Sequence, residues 1–170
     1  MVYVIIRFST MAGPSVLLRH HEKWGDWSLV GGHVEPWEMD EWGLAATREA
    51  NEELEPLVAG KDFLVTPIHN EPITWGPEPS RSAQGMRTVY HIRYYALAFL
   101  SDPIPLLGQL PTSEFLLVPE REIHSSQYSI GKPVHRARRV LSGGLEAVHP
   151  AWNEDIDLRS LPSFGISDNC

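Results

Sequence analysis

The sequence predicts a layered domain of the α/β or α+β class, in which strands pack against helices. Strand-like runs of β-branched and aromatic residues recur along the chain, whereas only two segments have good helical spacing. Hydrophobic residues make up 42% and charged residues 21% of the 170 residues, which is typical of a globular protein. This length is enough for one domain with a sizeable core and an appendage.

The first half of the chain contains three strand candidates. Residues 2–8 (VYVIIRF) and 15–20 (SVLLRH) are apolar or β-branched runs separated by the loop TMAGP. We expect them to be antiparallel neighbours, because a short Gly/Pro loop suits a tight connection. Residues 27–32 (WSLVGG) predict a further short strand that ends on a pair of glycines.

A helix is predicted between this strand and the middle of the chain. Pro36 keeps the preceding residue extended and so delays the helix. Helical spacing runs from Asp40 or Glu41 to about Leu54, and Pro56 ends it. Asp40 is the residue type expected at an N-cap.

The second half of the chain alternates strand and loop signals before a second helix. Strands are predicted at 63–68, 86–100 and 115–119 because these segments are rich in aromatic and β-branched residues. The Pro/Gly/Ser-rich residues 76–85 predict a loop, and residues 134–143 have helical spacing with arginines away from the apolar side.

The sequence predicts a domain of residues 1–143 followed by an extended C-terminal tail of residues 144–170. The tail contains Pro150, Pro162 and several Gly, Ser and Asp residues. An ordered tail must pack either on its own domain or on a partner chain. In the second case the protein would be a homodimer.

The net charge and the single cysteine suggest a compartment and exclude some partners. A formal charge of -8 argues against a nucleic-acid groove or an anionic membrane as the main partner. An anionic small molecule remains compatible if a bound cation or local arginines neutralise it. Residues 2–8 are too short, and too interrupted by Arg7, for a signal peptide or membrane span. Cys170 cannot form a disulfide within the chain, which suits a reducing cytoplasm. We therefore expect a cytoplasmic protein with no nucleic-acid or membrane partner.

Acidic residues are concentrated around the predicted first helix. Eight of the 22 acidic residues fall within residues 31–55, against one basic residue, Arg48. On a helix, Glu49, Glu52 and Glu53 occupy positions i, i+3 and i+4 and therefore share one face. One arginine cannot balance three glutamates, so either this face is solvated or a cation binds there.

The oxygen-only ligand set favours a hard divalent cation, Mg²⁺ or Mn²⁺, over zinc. Mg²⁺ usually keeps several waters and is shared with substrate phosphates, which would let an acidic protein hold a phosphate compound. Gly31 and Gly32 precede the helix and allow close approach of the backbone. The carbonyl of Gly32 is a further candidate ligand.

Residues 32–56 resemble the Nudix box, the signature of the Nudix hydrolases. That signature reads glycine, five residues, glutamate, seven residues and R-E-U-x-E-E-x-G-U, where U is a bulky aliphatic residue. Here five residues separate Gly32 from Glu38, and residues 48–53 read REANEE. Residues 27–36 (WSLVGGHVEP) are similar to the family's W-x-L-P-G-G-x-x-E approach.

The resemblance has three departures from the family pattern. Nine residues instead of seven separate Glu38 from Arg48, so the loop entering the helix is longer. Trp37 replaces a glycine and Val30 a proline, and residues 55–56 (EP) replace the closing glycine and aliphatic residue. The helix itself is uninterrupted, so the departures bear on the position of Glu38 and not on the metal-binding glutamates.

The resemblance implies a Nudix-type α/β/α sandwich with a mixed β-sheet flanked by helices. It also implies direct metal ligation by Glu49 and Glu53, with the Gly32 carbonyl as an additional ligand. Glu52 would be a ligand or the general base that deprotonates water. The implied chemistry is attack of a metal-activated water on a diphosphate linked to another group.

Two further residues are implied to organise this site: Arg48 would orient the glutamates, and Glu38 would brace the loop.

Arg7, Arg19 and Arg87 lie on strands or strand edges and are candidates for binding substrate phosphates. Each is equally compatible with a solvated surface arginine.

Several other residues are candidates without a selecting signal. Trp24, Trp75 and Tyr90 lie in or beside segments that could flank a pocket, and His33 follows the glycine pair. Glu114 precedes a late strand, where some relatives place an extra metal-binding glutamate.

The implied substrate is a nucleoside diphosphate derivative such as a nucleotide sugar, ADP-ribose, a dinucleoside polyphosphate or a modified nucleoside triphosphate. Residues 76–86 are the candidate specificity loop but contain no readable code. Two alternatives remain open: a non-catalytic Nudix-fold sensor or interaction module, and an isomerase of isoprenoid diphosphates. The isomerase would need a catalytic cysteine, and Cys170 is the only cysteine.

Overall fold

The structure, a computed structural model, describes residues 1–11, 13–80, 84–124, 128–162 and 164. Part of the candidate specificity loop, the end of the tail and Cys170 lie outside the described residues. None of the helices in the described ranges is long and apolar enough to cross a membrane.

The described residues form eight strands and three α-helices, together with short 3₁₀ turns. The strands are β1 (Val2–Phe8), β2 (Ser15–His21), β3 (Asp26–Ser28), β4 (Val30–Gly32), β5 (Phe63–Pro67), β6 (Ile73–Pro79), β7 (Arg87–Phe99) and β8 (Phe115–Pro119). The helices are α1 (Trp42–Glu53), α2 (Pro103–Leu107) and α3 (Lys132–Val140).

The strands form one mixed sheet in which β1 is central. It pairs antiparallel with β2 and β4 on one side and parallel with β7 on the other. The strand β2 also pairs with β3 and β8, and β7 also pairs with β5 and β6. The predicted antiparallel pairing of the first two strands is confirmed.

Helices cover both faces of this sheet, which confirms the α/β class and the flanked mixed sheet. Val2, Val4, Ile6 and Phe8 pack into one core cluster with the buried alanines of α1. Tyr3 and Ile5 pack into a second cluster with Val134 and Ala137 of α3. The split follows the two-residue period of a strand, because successive side chains of β1 point to opposite faces.

The helix α1 approaches the sheet closely because the side chains on its inner face are small. Ala45, Ala46 and Ala50 are fully buried against β1 and its neighbours. The predicted N-cap, Asp40, is wrong: the helix begins at Trp42, and Glu41 occupies the N-cap position without a side-chain cap. A 3₁₀ turn at Pro36–Glu38 precedes it and takes up the longer loop.

Two strand predictions were also wrong in detail. Residues 27–32 form two strands, β3 and β4, that pair with different neighbours and are separated at Leu29. The predicted loop 76–85 begins inside β6, which continues to Pro79. The Gly and Pro residues are tolerated there because the register of β6 shifts between Trp75 and Glu78, as at a β-bulge.

The described part of the tail packs on the tail's own domain. Ala151 donates a backbone hydrogen bond to Arg7, and Ile156 donates one to Ser9. The ring of Phe164 is buried in the core cluster on the α1 side, 6.3 Å from the ring of Phe115. These residues are therefore part of the core.

Candidate functional site

The glycine pair of β4 lies directly against the glutamates of α1. A Cβ atom on Gly32 would lie only 2.5 Å from Oε1 of Glu49. Gly31 has a φ of 139° and faces the backbone of β1, and its N–H donates to Oε2 of Glu53 at 2.8 Å. Glycine at position 32 therefore leaves room for the Glu49 carboxylate, whereas glycine at position 31 lets β4 lie close against the backbone of β1.

Arg48 joins the predicted site residues into one network. Its Nε and Nη2 donate to the two carboxylate oxygens of Glu38 at 2.8 and 3.0 Å. Its Nη1 donates to Glu49 at 3.0 Å and to Glu52 at 3.3 Å, and Nη2 also donates to the carbonyl of His33. The forked guanidinium thus brings the three glutamates together with the loop that follows β4.

The two-residue insertion does not separate Glu38 from this network. The carboxylate of Glu38 is buried and accepts both Arg48 and the backbone N–H of Glu35 at 3.0 Å. The Arg48 hydrogen bond and that N–H hold the pKa of the Glu38 carboxyl below its usual value. Glu38 therefore lies where it can brace the loop.

Burial leaves Glu49 and Glu53 in a setting that disfavours negative charge. It raises the pKa of the Glu53 carboxyl to about 7, although the Gly31 N–H and the Arg19 guanidinium oppose this. Burial also raises the pKa of Glu49, against the lowering effect of Arg48. Glu52 differs, because its side chain is 58% exposed.

Of the three predicted substrate-binding arginines, the structure brings only Arg19 to the glutamates. Its Nη1 donates to Oε1 of Glu53 at 3.2 Å, and its Nη2 donates to Oε2 of Glu114 at 3.3 Å. The Nε of Arg19 is buried and has no hydrogen-bond partner among the described residues. Arg19 therefore links Glu53 to Glu114, the late glutamate noted in the sequence.

The other two arginines are engaged elsewhere. The Nε of Arg7 donates to Glu120 at 2.5 Å in a largely buried pair. Arg87 begins β7 and donates to the carbonyl of Pro77 at 2.7 Å. Neither makes a hydrogen bond or ion pair with a glutamate of α1 in the described part of the chain.

The donor chemistry at the glycine pair fits a hard divalent cation. Within the described ranges, no group of three or more His, Cys, Asp or Glu side chains forms a ready-made metal site. Glu49 and Glu53 nevertheless present oxygen donors beside Gly32, and a cation would offset the cost of burying their charges. Glu52 lies at the exposed edge of the same network.

A cavity of about 340 Å³ opens beside the glycine pair. This β6–α3 cavity is bounded by Gly32 and His33, by Trp24 and Tyr90, and by Glu78 and Arg136. The sequence left Trp24 and Tyr90 among several candidates and missed the last two. No spacing rule distinguishes Arg136 from the other arginines of α3, and Glu78 fell within a predicted loop.

Comparisons with known proteins place these features in a family. A family model described as the NUDIX domain matches residues 2–127. No curated protein sequence matches the chain.

Two solved structures share the fold. Shewanella oneidensis NrtR is 13% identical with a TM-score of 0.52, and the match covers 81% of this chain and 61% of that one. The C. elegans Ap4A hydrolase is 23% identical with a TM-score of 0.50, covering 75% of this chain and 85% of that one. The chain therefore spans about three fifths of the length of NrtR. These identities show likeness of fold alone.

The prediction that nucleic acid is excluded as a partner is wrong. A second structure shows S. oneidensis NrtR complexed with a 27mer DNA, at 13% identity, a TM-score of 0.49 and coverage of 81% and 59%. NrtR, whose other structure matches this chain with a TM-score of 0.52, is thus itself described in a DNA complex. The net charge of the present chain does not exclude such a partner, because a total charge does not describe a local surface.

Proposed function

The chain belongs to the Nudix family, and we propose that it is a Mg²⁺- or Mn²⁺-dependent hydrolase of a nucleoside diphosphate linked to another moiety. That moiety could be a sugar, a ribose, a second nucleoside or a further phosphate. The observation that carries the proposal is the joining of Glu38, Glu49 and Glu52 by Arg48, with Glu53 hydrogen-bonded to Gly31.

In this proposal Glu49, Glu53 and the carbonyl of Gly32 hold the divalent cation. The bound cation would polarise phosphoryl oxygens and lower the pKa of a water molecule. The protein's own side chains position the groups around the cation. Arg48 orients the ligands, and Glu38 fixes Arg48 through its two-oxygen ion pair.

Glu52 is our candidate for the general base. Its carboxylate is exposed, and its contacts with Arg48, at 3.3 and 3.5 Å, are long. It therefore keeps acceptor capacity for a proton from water while Arg48 limits its orientation. Arg19 is our candidate for contact with a substrate phosphate, because it lies beside Glu53.

The test is cleavage of a panel of nucleoside diphosphate derivatives with Mg²⁺, Mn²⁺ or chelator. We expect metal-dependent release of a nucleotide product from at least one compound. Glu52→Gln should reduce turnover roughly 100-fold or more if Glu52 is the base. Glu53→Gln should weaken metal binding as well. The exposed Glu71→Gln serves as the matched control and should behave as the wild type.

One outcome would replace the proposal with the second function considered from the sequence. If no compound is cleaved while calorimetry still detects binding of a nucleotide, the protein is a ligand sensor or interaction module. Cleavage that is unchanged in both glutamine variants would show that the reaction occurs at another site.

A further inference from the structure

The β6–α3 cavity has a size suited to a small molecule. Ligand sites typically have volumes of roughly 300–1,000 Å³, and this cavity measures about 340 Å³. One part of its wall is the glycine pair, which contacts Glu49 and Glu53. If phosphates bind at the glycine pair, the group attached to them extends into the cavity.

Glu78 lies at a different level of the sheet from the glycine pair. Glu78 pairs with Thr88 on β7. Gly32 is level with Arg93 on the same strand, because both pair with Val2. The two levels are five residues apart on β7, or roughly 16 Å along the strand direction. A ligand in the cavity would therefore meet two different sets of groups: the glycine pair with Glu49 and Glu53 at one level, and the carboxylate of Glu78 at the other.

The carboxylate of Glu78 is held by three donors, which together form the Glu78 cluster. The indole Nε1 of Trp75 donates to Oε1 at 2.6 Å. On Oε2, the Nη2 of Arg136 forms a short ion pair, and the Nζ of Lys132 lies 3.5 Å away. The Trp75 hydrogen bond, together with these two cations, lowers the pKa of Glu78. The position of the Glu78 carboxylate is thus fixed by one neutral donor and two cations.

The Arg136 side chain in this cluster is itself immobilised. It is only 9% exposed, and its guanidinium lies 5.5 Å from the ring of Trp75 and 5.0 Å from that of Tyr90. Burying such a pair gains little stability over well-packed apolar residues. Stability alone therefore does not account for an ion pair that faces a cavity.

Glu78 retains capacity to bind a ligand. Its side chain is 25% exposed and lines the cavity. An ionised carboxylate accepts about four hydrogen bonds and donates none. Three donors occupy part of that capacity, so the open part selects ligand groups that donate, such as hydroxyl or amino groups. It disfavours a further phosphate at this position.

We propose that Glu78 is a specificity-determining residue that accepts hydrogen bonds from the nucleoside part of the substrate, with Arg136 as its positioning residue. The proposal rests on the proposed function, because it assumes that the diphosphate lies at the glycine pair. Lys132 and Arg136 lie outside residues 2–127, the segment matched by the family model. The α3 part of this cavity wall is therefore supplied from outside the matched residues, whereas Glu78 itself lies within them.

The donor on the ligand can be a ribose hydroxyl or a base N–H group, and the test distinguishes them. Calorimetry in buffer with Mg²⁺ would measure binding of AMP, GMP, CMP and UMP, none of which contains a diphosphate that can be cleaved. The tightest of these would then be compared with its 2′,3′-dideoxy form. We expect either a preference among the bases or a weaker dideoxy ligand, each roughly 10-fold or more.

The variant Glu78→Gln should abolish that discrimination, because an amide introduces donors where the ligand also donates. Glu154→Gln is the matched control: it makes the same chemical change at an exposed position that does not line the cavity, so discrimination should persist. Thermal unfolding of each variant checks the fold. If Glu78→Gln does not fold, the comparison of ligands on the wild type still shows whether the cavity discriminates among nucleosides.

Three results would overturn the inference: no nucleoside monophosphate binds, the four monophosphates and the dideoxy form all bind the wild type equally, or Glu78→Gln keeps the discrimination. None of these involves cleavage. A failure of the hydrolase proposal would show instead as absent metal-dependent turnover with the discrimination intact. A failure of the Glu78 inference would leave turnover in place, with the same ratios of KM values in the wild type and Glu78→Gln.

Discussion

At the scale of single residues, Gly32 explains why the carboxylate of Glu49 can lie against β4. The closest atoms to a Cβ on Gly32 belong to the carboxylate of Glu49, the flexible end of a side chain. An added methyl group would therefore displace that carboxylate and leave the backbone in place.

We expect Gly32→Ala to weaken divalent-metal binding without unfolding the protein. Loss of the Glu49 carboxylate from its position should lower the affinity for Mn²⁺ by roughly 10-fold, equivalent to one modest ligand interaction. Calorimetry with Mn²⁺ and thermal unfolding would measure the two effects. Gly43→Ala is the control, because no atom lies within 4 Å of its added Cβ. Equal metal affinity in wild type and Gly32→Ala would contradict the assignment of Glu49 as a ligand.

Arg19 illustrates a residue whose role the sequence could not select. Its position on β2 is as strand-like as that of Arg7 on β1. The structure separates the two: Val4 and Ile6 pack on the α1 side of the sheet, so Arg7, the next residue of β1, faces the other side. The neighbours of Arg19, by contrast, come from distant segments of the chain, Glu53 and Glu114.

We expect Arg19→Gln to tighten metal binding several-fold while reducing cleavage. Removing the guanidinium from Glu53 takes away a cation that competes with the metal for the same carboxylate. It also removes the proposed contact with substrate phosphate, so KM should rise. Mn²⁺ calorimetry and steady-state kinetics would measure these changes. Arg87→Gln is the comparison and should leave both quantities unchanged; a rise in KM for Arg87→Gln alone would reverse the assignment.

At the scale of elements, the strands were predicted best where a run of apolar and β-branched residues is free of glycine. The bounds of β1, β5 and β8 follow directly from their apolar runs. The strand β6 was missed because Gly76, Pro77 and Pro79 interrupt its pattern. It forms a strand because the long strand β7 supplies backbone hydrogen-bond partners, even though the segment itself has poor strand propensity.

His135 of the helix α3 has an effect on stability with a definite sign. The rings of His124 and His135 stack with centroids 5.3 Å apart. Burial lowers the pKa of His135, and His124, Arg138 and Arg139 lower it further. The folded protein therefore resists a proton that the unfolded chain accepts near pH 6.5.

We expect the contribution of His135 to the free energy of unfolding to fall as the pH drops from 7.5 through about 6.5. In that range the imidazole of residue 135 is protonated more readily in the unfolded state than in the folded state, so this contribution rises with pH. His135→Gln should remove the contribution, so the difference in free energy of unfolding between wild type and variant should change with pH, whereas the exposed His149→Gln should show no such change. Urea unfolding at several pH values would measure it. A steeper dependence in His135→Gln would show that the histidine stabilises the acid form.

At the scale of the whole molecule, one part of the site could be predicted from the sequence and another part could not. The carboxylates of α1 were predictable because they are local in sequence and their spacing fixes one helix face. The Glu78 cluster was not, because it joins β6 to α3 across 58 positions between Glu78 and Arg136. Pairing over such a distance depends on topology, which no local pattern encodes.

The packing of the tail was likewise not predictable from any local sequence pattern. Residues 144–170 were predicted as a separate extended segment, and the division at 143/144 remains a prediction. In the structure, however, the backbone of Ala151 bonds to both Arg7 and Phe99. Ile156 is 2% exposed and packs in the core cluster on the α1 side of the sheet. Apolar residues spaced between turns gave no periodic signal of this burial.

Because the tail contributes to the core, we expect it to unfold together with the rest of the chain. Ile156→Ala should lower the free energy of unfolding by about 2–5 kcal/mol, as for other buried large-to-alanine substitutions. The loss should appear as a shift of one cooperative transition in urea. Asn153→Ala, at an exposed position of the same segment, should change stability by no more than about 0.5 kcal/mol. A separate early transition, with the main one unshifted, would mean instead that the tail is an independent appendage, as the sequence suggested.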